Sequence, residues 1–188
     1  MAVVKLLKGL KNIHFAPIKN GEYQKPVAIT NAKKIDTKLN YESSSEWGDD
    51  RIVSQEFGYN GGEGTFTVLG LTAEEQSTLF GNTKVKGGVV VKSTDVAPEG
   101  AFLFERSKKG STHKRLYVVY ACKASQTGFS GETIEEGKSA AAQDEINFAV
   151  AETLDGLIYH YIDTDDPTVD QAAITAWYTT VQKPTALE

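Results

Sequence analysis

The chain has 188 residues, 40% hydrophobic and 24% charged, which predicts one globular domain with a buried core. Its formal net charge of −5 argues against a surface that grips nucleic acid by its phosphates, and its single cysteine, Cys122, excludes an internal disulfide and fits a reducing compartment. The charge is also sorted: residues 1–40 hold eight lysines against Glu22 and Asp36, a net of +6, whereas residues 126–170 hold eleven acids against Lys138, a net of −10, and such sorting suits a protein that stacks on copies of itself.

Residues 2–7 (Ala-Val-Val-Lys-Leu-Leu) are too short for the apolar core of a signal peptide, and no run approaches the ~18 apolar residues of a membrane-spanning helix. The stretch Tyr41–Asp50 is polar, rich in serine and acids, and reads as a long loop carrying one exposed tryptophan, Trp47. Phe66 and Val68 alternate with Thr65 and Thr67, the period of a half-buried strand. Thr72 and Glu75 have the spacing of a capping box, so a helix is predicted over Thr72–Phe80, stopping at Gly81. Strands are predicted at Val85–Lys92, Ala101–Arg106 and Arg115–Cys122, the last apolar on both faces, with Lys108–Thr112 as a hairpin tip. Gln126–Gln143 reads as a second long loop. Ile146, Phe148 and Val150 alternate with Asn147 and Ala149, and Ile146–Asp163 reads as a hairpin turning at Asp155-Gly156. A C-terminal helix is predicted from about Pro167 to Tyr178, with Asp166 as its cap and Pro167 in its first position. Mainly β, a sandwich or partial barrel flanked by a short helix, follows from this order of elements.

Catalytic and ligand-binding readings find little support. Gly137-Lys138-Ser139 ends like a phosphate-binding loop, but the first glycine falls at 131 where 132 is required, and Glu132, Glu135 and Glu136 would repel phosphate. Gly128-Phe129-Ser130-Gly131 fails the nucleophile elbow at Glu132. His14, His113 and His160 lack metal-ligand spacing, and Cys122 ends an apolar strand as a small buried hydrophobe. Asp163, Asp165, Asp166 and Asp170 break the order of a calcium loop at Pro167; capping of the C-terminal helix accounts for Asp166, and the dipole at the helix start favours the other acids. No catalytic residue, cofactor or metal is expected. Trp47 beside Asp49 and Asp50 suits a protein partner, with sugar stacking as the alternative. A hydrolase built on paired carboxylates ranks last.

The opening Lys8–Asp36, with its Gly-Leu-Lys-Asn-Ile strand, its Ala-Pro turn and a second strand ending near Ile35, resembles one branch of the major tail proteins, or tail tube proteins, of long-tailed bacteriophages. The long loop 38–51, the strand pair after it, the capped helix and the late turn at Asp155-Gly156 match that family's layout. The resemblance covers most of the chain and implies one tail tube domain over 1–188, with an N-terminal arm over about 1–12 and a C-terminal segment over about 164–188. It implies a non-enzymatic structural subunit that assembles into hexameric rings, stacked as a tube in the virion of a siphophage and built in the host cytoplasm. The implied partners are copies of itself, a tape-measure protein and tail terminator or initiator proteins; DNA passes through the lumen unbound, and no membrane is involved. Carried onto this sequence, Tyr41, Glu42, Trp47, Asp49 and Asp50 become ring-to-ring contacts and Lys5, Lys8 and Lys11 their candidate counterparts. Glu145 and Glu152 are candidate lumen acids. The alternative is a carbohydrate-binding or adhesin-like β-sandwich module.

Overall fold

The computed structural model describes residues 5–129 and 143–185; the segment Gly131–Ser139, and all of Gln126–Gln143 but its ends, lie outside them. The fold is mainly β. Strand β1 (Leu7–Lys19) pairs antiparallel with β8 (Glu99–Lys108), and its other edge carries two short strands, β2 (Glu22–Tyr23) and β3 (Val27–Ala28). Beyond β8 lie β9 (Lys114–Ala124), β10 (Asp144–Val150), β5 (Arg51–Val68) and finally β4 (Ala32–Gly48). The predicted arm over 1–12 is therefore part of β1 from Leu7 onward: Lys8 opposes Ser107 and Lys11 opposes Glu105.

At opposite sides of this nine-stranded sheet, β1 and β4 come side by side without ladder hydrogen bonds. The sheet thus curls into a partial barrel. Its inside holds Phe15 from β1, Phe66 and Val68 from β5, Phe102 from β8 and Ile146 and Phe148 from β10. Phe102 sits among Phe15, Phe66 and Phe148 at ring-centroid distances of 4.9, 5.9 and 4.8 Å, within the range of favourable aromatic pairs. One position in this core has to be glycine. A Cβ on Gly64 would stand 2.2 Å from the Phe148 ring, because the ring lies flat on the residue opposite it in the ladder.

Helix α1 (Ala73–Phe80) closes one end of the barrel with Leu79 and Phe80. The predicted capping box is present: the Glu75 amide donates to Thr72 Oγ1 (3.2 Å), and the Thr72 amide donates to Glu75 Oε2 (2.7 Å). Glu75 also accepts from the amide and hydroxyl of Thr30 at 2.7 and 3.2 Å, so one buried carboxylate caps the helix and ties down the β3–β4 connection. Burial alone would raise its pKa; the hydrogen bonds from Thr30 and Thr72 outweigh it and hold the carboxyl below its ordinary range. Gly81, at φ 73°, ends the helix in the left-handed conformation that glycine adopts without strain.

Three predicted elements differ. Val85–Lys92 is a miniature hairpin, β6 (Thr83–Val85) and β7 (Gly88–Val90), folded at Lys86-Gly87. Ile146–Asp163 is not a hairpin. Asp155-Gly156 does form a tight turn, with the Thr153 amide donating to the Leu157 carbonyl (2.9 Å), yet β10 and β11 (Tyr159–Asp163) pair with β9 rather than with each other. They lie end to end along one edge of β9, and the partner changes at Ala121, which carries an unusual φ of 46°. The C-terminal helix, α2, is only Gln171–Ala176, and its cap is Asp170, whose carboxylate accepts from the Ala172 amide (2.8 Å). Asp166 instead closes a turn over Pro167, accepting from the amide and hydroxyl of Thr168. The C-terminal segment covers the outer face of β1, β8 and β9, where Trp177 is fully buried against Ala16, Leu103, Leu116 and Val118.

Candidate assembly surfaces

The stretch read as a loop over 38–51 is the distal half of a two-stranded arm. β4 and β5 are 17 and 18 residues long, and from Tyr41↔Tyr59 to Gly48↔Arg51 they pair, among the described residues, only with each other. The chain reverses at Asp49-Asp50, both at positive φ (49° and 59°), as a tight turn between twisted strands requires. The sequence concealed this arm because neither face is buried, so its polar and apolar residues do not alternate against a core. Composition suggested a loop, and Asp-Asp is a weaker turn signal than Asn-Gly.

Residues opposite each other in a ladder share a face. From the register, Tyr41, Tyr59, Phe57, Trp47 and Ile52 continue the core-facing side of the sheet outward along the arm. Trp47 is 70% exposed and Phe57 67%. Glu42, Glu46 and Glu56 occupy the other side, where Asn60 donates to Glu42. An extra residue in β5 turns Val53 to this side, against Gly48. Residues 41–58 thus carry Glu42, Glu46, Asp49, Asp50 and Glu56 against Arg51 alone, a net of −4. An aromatic strip left in water on one side, with acids on the other, has the composition of a docking element.

The outer face of β10, β5 and β4 forms a second surface. Glu145, Asn147 and Ala149 are exposed on β10, opposite Thr67, Thr65 and Glu63 of β5, which in turn oppose Lys34, Asp36 and Lys38 of β4. Lys34 pairs with Asp36, and Lys38 Nζ lies 3.3 Å from Glu63 Oε1. Of the two candidate lumen acids, Glu145 belongs to this face. Glu152 lies outside the strands, exposed in the segment after β10, and the two share no strand surface.

A third surface is the open seam between β1 and β4, a groove of about 660 Å³. Leu10, Leu39, Phe104 and Tyr117 give it an apolar floor, and Lys33, Arg106 and the ion-paired Lys34 and Asp36 stand along it. Of the candidate N-terminal lysines, Lys8 and Lys11 flank its Gly9-Leu10 wall in sequence and are exposed, and Lys5 is exposed just before the strand.

The aspartates at the end of β11 do different work from the capping expected of them. Arg115 donates to both oxygens of Asp163 (2.8 and 2.7 Å), and Lys108 Nζ lies 3.0 Å from Asp163 and 2.5 Å from Asp165. The Lys108 side chain has no exposed surface. Sequence could not pair these groups, because the partners are 48 to 57 residues apart. Arg115 and Lys108 together hold the Asp163 carboxyl below the usual aspartate range. For Lys108, burial opposes the charge, and its hydrogen bonds to Asp165 and Asp163 outweigh burial and raise its pKa. This cluster staples the β8–β9 tip to the C-terminal segment. Burial pushes the Cys122 thiol up, which suits an inert core residue. Among the described residues no group of three His, Cys, Asp or Glu side chains is placed to hold a metal ion. No protein-family model matches this sequence, and no curated protein sequence matches it either.

Proposed function

We propose that the protein is a structural subunit of a bacteriophage tail tube, assembling with copies of itself into hexameric rings that stack into a conduit for DNA ejection. The observation that supports this best is the β4–β5 arm: a rigid two-stranded projection with a solvent-facing strip of Tyr41, Trp47, Ile52 and Phe57. An isolated chain gains nothing from exposing that strip, whereas a stacking subunit buries it against the next ring. The outer edge of β4 beyond the seam, which has no partner strand among the described residues, is the place for sheets of neighbouring subunits to join and so hide their edges. In this reading the polar face of β10, β5 and β4 lines the lumen. Lys34 and Lys38 each have a carboxylate partner there and Glu145 stands beside them, so the face offers DNA no cluster of cations to cling to. A tape-measure protein and terminator or initiator proteins complete the proposed set of partners, and the virion is the proposed location.

The arm supplies the test. A variant in which Asn-Gly replaces residues 42–58 closes the hairpin at Tyr41 and Tyr59 and leaves the core intact. It should melt within a few degrees of the parent and sediment as a non-elongating species. Normal tubes from this variant would contradict the proposal. Saturable glycan binding, lost in Trp47→Ala, would favour the carbohydrate-binding alternative. Trp47 is not part of the lining of the seam groove.

A further inference from the structure

We propose that the seam groove between β1 and β4 is the receptor for the arm tip of another copy of this chain. Trp47 and Ile52 of the incoming arm lie on the groove floor, and Asp49 and Asp50 face Lys33 and Arg106. The inference rests on the self-assembly reading and adds the surface that receives the arm.

Two complementarities carry it. The groove joins an apolar floor (Leu10, Leu39, Phe104, Tyr117) to a border that carries Lys33 and Arg106 beside the Lys34–Asp36 ion pair, and the arm tip joins an apolar pair to two adjacent carboxylates with no base but Arg51. A hydrophobic anchor in a pocket, ringed by opposite charges, is the usual anatomy of an interface that is strong and specific in register. The groove is large enough for several side chains, and its volume lies in the range of well-formed binding clefts.

Geometry requires the arm to come from a second copy. Leu39 lines the groove and Asp49 caps the arm of the same strand. Asp49 is about ten residues farther on, or roughly 33 Å at ~3.3 Å per residue. A hydrogen-bonded ladder does not fold back over that distance, so a chain cannot fill its own groove with its own tip. Arm and groove are different surfaces, so the contact is heterologous. Repeated from copy to copy, such docking builds a ring if the rotation closes and an open stack if it does not, and the tube reading requires the open stack.

A charge swap tests this. Asp49→Lys with Asp50→Lys reverses the arm; Lys33→Glu with Arg106→Glu reverses the groove. Each variant alone should assemble roughly tenfold less readily than the parent. An equimolar mixture should recover assembly, because each arm then meets an opposite groove. Lysine at positive φ strains the turn, so a second arm variant, Asp49→Asn with Asp50→Gly, keeps a favourable turn and removes only charge. It should weaken assembly and flatten its dependence on salt. Copies carrying Asp50→Cys and copies carrying Lys33→Cys should also form mixed disulfides when oxidised together. The native Cys122 is fully buried and does not compete. If the parent forms tubes, and the reversed variants assemble as well as it does without mixed cross-links, the groove assignment is wrong and the self-assembly reading survives. If the parent itself never associates, both fall.

Discussion

Lys108 carries a charge on a side chain with no exposed surface, so its place in the fold depends on Asp163 and Asp165. Removing one partner from a buried ion cluster leaves the others uncompensated and typically costs about 3–5 kcal/mol. Lys108→Ala should therefore lower the unfolding free energy by about that amount in urea titrations, and a loss below about 1 kcal/mol would show that water screens the cluster. The pH dependence has a definite sign. The pKa of Asp163 is lower folded than unfolded, so its contribution is complete above the ordinary aspartate pKa of about 3.9 and fades as pH falls through the lower folded value. Glu75 behaves the same way below the ordinary glutamate range. Lys108 is shifted upward, so its contribution is present below its ordinary pKa of about 10.4 and is lost only as pH rises through the folded value. Acid unfolding should accordingly begin below about pH 4, and Glu75→Gln should shift its midpoint.

The elements that were legible in the sequence are those specified locally. The Thr72–Glu75 capping box, the Gly81 stop and the alternations at 65–68 and 146–150 depend on neighbours two to four residues away, and each stands where expected. What sequence did not reveal depends on distant partners. Asp155-Gly156 has the chemistry of a hairpin turn, but β9 takes both flanking strands, three residues of β10 and five of β11. Asp166-Pro167 looks like a helix start, yet its carboxylate is already engaged by Thr168 and the helix waits for Asp170. The arm was hidden for the opposite reason: its ladder is local, but no buried face betrays it. Close packing across β5 and β10 gives a further prediction. Gly64→Ala would drive a methyl into Phe148 and the Asp36 carbonyl, and should destabilise the fold by about 1–3 kcal/mol. The double variant with Phe148→Leu should recover part of that loss, as denaturation curves would reveal.

At the scale of the whole molecule, the charge sorting of the sequence takes on a direction. Its basic first forty residues supply β1 and the start of β4, which border the seam, while the tip and outer side of the arm are acidic. The partial barrel has an edge on β4 without a partner strand among the described residues, an open seam and a projecting arm, three features that a solitary domain would ordinarily bury or shorten. The fold alone does not identify the function, since sheets of this kind serve many purposes; the unsatisfied surfaces are what favour assembly. Electron microscopy of the concentrated full-length protein at low salt tests that claim most directly. The account predicts hollow tubes of stacked rings that shorten or dissolve as salt screens the arm. A protein that stays monomeric at every concentration and ionic strength would contradict it.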